Sequence, residues 1–129
     1  MDDKIKNIQN VFSKYPEVKL AYLFGSRARK DAGLISDYDF AIYIDIQDKK
    51  RMFDIKIELL NQLVQILKTD NVDIVILNIC ESPELKFNII KEGNLIFERE
   101  PFKILIEPKI LNEYFDFHTM LLKYGLTRS

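Results

Sequence analysis

The sequence predicts an α/β domain. Three observations predict it: short apolar runs closed by turn residues, amphipathic stretches between them, and a length suited to one hydrophobic core. The chain has 129 residues, of which 47% are hydrophobic and 30% charged, enough for a core without disulfide or metal staples. Its formal net charge is −1, so no broad basic surface for general DNA binding is expected.

Each element follows from local pattern. Ile5, Ile8, Val11 and Phe12 recur at helical spacing, with Asp2 or Asp3 as a cap and Tyr15-Pro16 as a stop. Val18 to Phe24 is a short apolar run halted by Gly25, which reads as a buried strand ending in a tight turn. Ser26 to Lys30 suits a short helix capped by Ser26, broken at Asp31-Ala32-Gly33. Tyr38 to Ile46 alternates, with Phe40, Ile42, Ile44 and Ile46 on one face and Asp39, Ala41, Tyr43 and Asp45 on the other.

Asp48 to Lys68 has the strongest helical pattern, and its expected core stripe is Phe53, Ile57, Leu60, Val64 and Leu67. Val72 to Leu77 is a third strand, apolar except for Asp73. Ser82-Pro83-Glu84 supplies a cap, a proline at the first position and an early acid for a helix stopping at Gly93. Leu95 to Phe97 makes a fourth strand. Pro108 is expected to open the last helix, about 108–124, so residues 1–129 read as a single domain.

Cys80 and His118 are single occurrences, which excludes an internal disulfide and a zinc site built from several cysteines or histidines. No segment approaches the ~20 apolar residues of a membrane span, and no signal-type block follows Met1. A cytoplasmic protein without membrane contact is expected.

The chemistry sits in three places. Asp37 and Asp39 are two apart, so in extended chain their side chains leave on one side, with Cα atoms roughly 6.6 Å apart. Such carboxylates repel unless a cation or shared proton intervenes, and Mg²⁺, a taker of oxygen ligands, suits them. Asp73 reaches the same place if its strand lies beside theirs, and an isolated carboxylate buried in an apolar strand is costly unless paired or metal-bound. The alternative is that Asp73 sits at a frayed strand start, held by nearby amides. Gly25-Ser26 supplies a sharp turn, amides at a helix start and a hydroxyl, all suited to phosphates. On its own it also fits an ordinary capped turn.

Gly25-Ser26, then Asp37-Tyr38-Asp39 after ten residues, resembles the signature of the DNA polymerase β-type nucleotidyltransferase superfamily. The string Leu23-Phe24-Gly25-Ser26-Arg27-Ala28-Arg29, with Asp31-Ala32, Ser36-Asp37 and the later Asn71-Val72-Asp73-Ile74-Val75, resembles the minimal nucleotidyltransferases, the MNT family. The resemblance implies a mixed sheet of four to five strands with helices packed mainly on one face. It implies two Mg²⁺ ions held by Asp37, Asp39 and Asp73, ATP as substrate, and phosphate contacts at Gly25 and Ser26. Arg27 and Arg29 are candidates for phosphate or acceptor contacts. Many MNT proteins are antitoxins that add AMP to a tyrosine of a HEPN-domain toxin. The implied partners are thus ATP and that toxin, in a homo- or hetero-oligomer.

Two other functions are compatible with these motifs. A small-molecule nucleotidyltransferase of the aminoglycoside-modifying kind would label hydroxyl compounds and no protein. A non-catalytic antitoxin would survive replacement of Asp37 and Asp39 by asparagine. The aromatic-rich segment Tyr114 to Tyr124 is a candidate docking helix, or else part of the core.

Overall fold

The computed structural model describes residues 2–24 and 38–125. The order is α1 (Asp2–Ser13), β1 (Val18–Phe24), β2 (Tyr38–Ile44), α2 (Lys49–Leu67), β3 (Val72–Ile76), a 3₁₀ turn (Leu77–Ile79), α3 (Pro83–Glu92), β4 (Asn94–Glu98) and α4 (Phe102–Lys123). The strands form one mixed sheet in the order β3-β2-β1-β4. β1 is antiparallel to both β2 and β4, and β2 is parallel to β3.

Local chemistry explains the caps. Asp48 accepts from the amides of Lys50 and Arg51 to start α2, and Ser82 accepts from Leu85 N to start α3, with Pro83 at the first position. At the far end of β2 the Asn78 side-chain amide continues the strand pairing: its Oδ1 accepts from Ile44 N at 2.8 Å and its Nδ2 donates to Ile44 O.

The larger core lies between the sheet and the helices α1 and α2, as the expectation of helices behind the sheet requires. It joins Ile8, Val11 and Phe12 to Ile55, Leu59 and Leu63 over Phe40, Ile42 and Ile44. The reverse face is covered too. There a smaller core joins Leu20, Tyr22, Ala41 and Leu77 to Ile89 of α3 and to Ile106 and Ile110 of α4. The alternation read in β2 is therefore real, and its second face is half core and half site.

Two expectations are corrected. The buried stripe of α2 is Met52, Ile55, Leu59, Leu63 and Leu67, whereas Phe53 is 58% exposed and Ile57 42%. Both stripes recur at steps of three or four, so periodicity alone does not choose between them; packing against the sheet does. The last helix begins at Phe102, and Pro108 lies inside it. A proline there removes the hydrogen bond to the carbonyl four residues back. That residue, Ile104, lies on the exposed side of the helix, at 72% exposure. Pro108→Ala should restore the bond and raise stability by about 1 kcal/mol, part of the usual helix-interior penalty, read as a higher melting midpoint.

Among the described residues no helix is long and apolar enough to cross a membrane.

Candidate active site

Asp39 is the second residue of β2 and Asp73 the second of β3, and the parallel register pairs them directly. Directly paired residues project to one face, and adjacent strands lie about 4.8 Å apart. Phe24, at the end of β1, is the antiparallel partner of Asp39 on its other side. Phe24, Asp39 and Asp73 thus form one row across three strands. The row lies on the face that holds Ala41, Tyr43 and Val75 in the smaller core, at the sheet end where β1 gives way to Gly25.

Asp39 is half-buried and Asp73 exposed. Burial therefore does not force a partner on Asp73; register alone brings it beside Asp39. One of its oxygens, Oδ1, accepts from the adjacent Ile74 amide at 2.8 Å, as the amide-held alternative expected. That bond holds the carboxylate and engages one oxygen of two. Gly25, Ser26, Arg27, Arg29 and Asp37 lie outside the described residues.

The donor set fits a hard divalent cation. Both groups are carboxylates on neighbouring positions of one face, and among the described residues no lysine or arginine pairs with either. Their mutual repulsion favours a cation between them. Among the described residues no third acid completes a cluster.

The same face carries a second polar link. Tyr22 is 2% exposed, and its hydroxyl donates to Glu107 Oε2 of α4 at 2.6 Å. Burial first, then the Glu107 carboxylate, pushes this hydroxyl's pKa above its ordinary 10.0. Tyr15 and Tyr43 are also raised, in each case chiefly by burial. A raised folded pKa adds stability that is whole below pH 10 and is lost as pH climbs above it, because the unfolded chain gives up the proton first. Tyr22→Phe should therefore make the loss of stability above pH 10 shallower, and cost about 1–2 kcal/mol at neutral pH through the lost bond to a carboxylate. Melting curves between pH 7 and 11 read both effects.

Two neighbours of the row are not marked by local pattern. Phe24, which closes the apolar run of β1, borders Asp39. Gly93 stops its helix, and its bare Cα sits against β1, close to Phe24. A glycine ending a helix gives no sign of which strand it meets.

The strand order and the acids paired on β2 and β3 are compatible with nucleotidyl transfer. The chain belongs to the polymerase beta nucleotidyltransferase family, whose model matches residues 6–102. Within that family it is similar to the protein adenylyltransferase MntA of Aphanizomenon flos-aquae (strain 2012/KM1/D3), with 30% identity over 112 residues, covering 76% of this chain and 73% of the other. The fold is shared with the solved complex of a tri-AMPylated Shewanella oneidensis HEPN toxin and MNT antitoxin, with TM-score 0.70, 20% identity, and 95% and 93% of the two chains covered. It is shared also with a toxin-antitoxin structure with AMP-PNP, with TM-score 0.68, 22% identity, and 95% and 94% covered.

Proposed function

We propose that this chain is a cytoplasmic protein adenylyltransferase, the antitoxin of a toxin-antitoxin pair, that transfers AMP from ATP to a tyrosine of a HEPN-domain toxin. The observation that carries the reading is the direct pairing of Asp39 with Asp73 beside the end of β1, in a member of a nucleotidyltransferase family. The similarity to the MntA adenylyltransferase supports a protein as acceptor.

Asp37, Asp39 and Asp73 would hold Mg²⁺, in two ions by family resemblance, which supplies Lewis acidity toward the acceptor hydroxyl and charge neutralisation for the departing pyrophosphate. The protein's own part is placement. Gly25 and Ser26 present amides and a hydroxyl to the triphosphate, with Arg27 and Arg29 as further phosphate or acceptor contacts. The acceptor oxygen attacks the α-phosphorus, the bond to the β-phosphate oxygen breaks, and AMP stays on the acceptor. Asp73, exposed and accepting from the Ile74 amide through one oxygen, takes the hydroxyl proton in this reading.

The distal half of α4 supports a protein partner. Within this helix no residue after Ile110 is buried, and Phe115, Met120, Leu122 and Tyr124 are 54%, 45%, 52% and 64% exposed. Tyr114 stacks on Phe87 with ring centroids 4.0 Å apart, so part of the segment is packed and the rest is bare apolar surface of the kind that marks contact sites.

The test is incubation with ATP, Mg²⁺ and the toxin encoded beside this chain, followed by mass spectrometry. The expected result is a toxin heavier by one or more AMP units. An unmodified toxin that is nevertheless silenced overturns the reading in favour of neutralisation by contact.

A further inference from the structure

Helix α3 ends at Gly93, whose amide donates to the Ile89 carbonyl at 2.9 Å. Its backbone is extended, with φ −78° and ψ 169°, a conformation open to any residue. Dihedral freedom therefore does not explain a glycine here. Space does. A Cβ at this position would lie 2.4 Å from the Ile89 carbonyl oxygen, 3.2 Å from the Leu23 carbonyl oxygen and 3.3 Å from Phe24 Cβ.

Two of those three atoms belong to the last two residues of β1. Leu23 pairs with Phe40 of β2 and Asn94 of β4, and Phe24 pairs with Asp39. The end of α3 is thus pressed against the strand position next to the carboxylate that matters most.

We propose that Gly93 is a positioning residue for the Asp39–Asp73 pair, an inference that rests on the nucleotidyltransferase reading. The bare Cα sets how closely the helix end approaches Phe24, and Phe24 flanks Asp39 in the row. A methyl group has no room against the Ile89 carbonyl, which belongs to the helix's own backbone. The 2.4 Å contact forces the end of α3 itself to re-bend, and the 3.2 and 3.3 Å contacts pass a shift of tenths of an ångström to the end of β1. The row moves with it, and a metal site tolerates deviations of only about 0.2 Å. Changes just outside a ligand set commonly cost 10–100-fold in metal affinity or activity.

The experiment titrates wild type, Gly93→Ala and Ile55→Val with Mn²⁺ by calorimetry, well below each melting midpoint, and then measures AMP transfer. Ile55 is fully buried in the core on the opposite face, so Ile55→Val controls for general destabilisation. Gly93→Ala should lose about tenfold in Mn²⁺ affinity and in transfer rate, while Ile55→Val binds Mn²⁺ as wild type does. Equal affinity in Gly93→Ala, or an equal loss in Ile55→Val, overturns the inference. If Gly93→Ala does not fold, Phe24→Gly removes the Cβ that faces the bare Cα of Gly93; the same loss supports the inference and wild-type affinity overturns it. A wild type that transfers no AMP overturns the functional reading itself, whereas an active wild type matched by Gly93→Ala overturns only the role of Gly93.

Discussion

Asp39→Asn should lower AMP transfer on the order of 10³-fold, because it removes a charge from the carboxylate pair and with it several kcal/mol of transition-state stabilisation, at 1.36 kcal/mol per tenfold. The fold should survive, since Asp39 is half-buried and an amide is nearly the same shape. Asp73→Asn should cost less in stability still, because its side-chain oxygen keeps the bond from the Ile74 amide, while the rate falls with the lost charge. Rates measured beside melting curves separate the two contributions. A transfer rate within tenfold of wild type in Asp39→Asn would remove this residue from the chemistry.

The second large effect concerns α2. Leu59 is fully buried, and Phe53 is 58% exposed. Leu59→Ala should therefore destabilise the protein by about 2–5 kcal/mol, the lost transfer energy plus the cavity left behind. Phe53→Ala should stay within about 0.5 kcal/mol. Urea denaturation of the two variants reads the difference directly. The opposite ranking would mean that the helix is rotated toward the stripe that periodicity alone suggested.

That pair of residues also marks where sequence reading succeeds and where it stops. The caps of α3 were legible because Ser82, Pro83 and Gly93 act on their own helix within a few residues. The faces of β2 were legible because a strand alternates with period two, which leaves no second choice. α2 offered two apolar stripes at the same spacing, and only contact with Phe40, Ile42 and Ile44 selects one. Pro108 reads as a helix start because proline favours the first helical position; Phe102 to Glu107 join the helix as Ile106 enters the smaller core with Leu20 and Tyr22, a gain invisible in the local pattern.

The candidate site divides in the same way. Gly25-Ser26, Asp37-Tyr38-Asp39 and Asp73 stand out as residue types at telling intervals, and that is enough to point to the nucleotidyltransferase family. Whether Asp73 meets Asp39 is a matter of strand order and register across some thirty residues of intervening chain, where a slip of one residue would send every side chain to the other face. The exposure of Asp73, the closeness of Gly93 to Phe24 and the bare end of α4 belong to the same class. They depend on which surfaces the folded chain brings together, and local spacing carries no information about surfaces that meet only after folding.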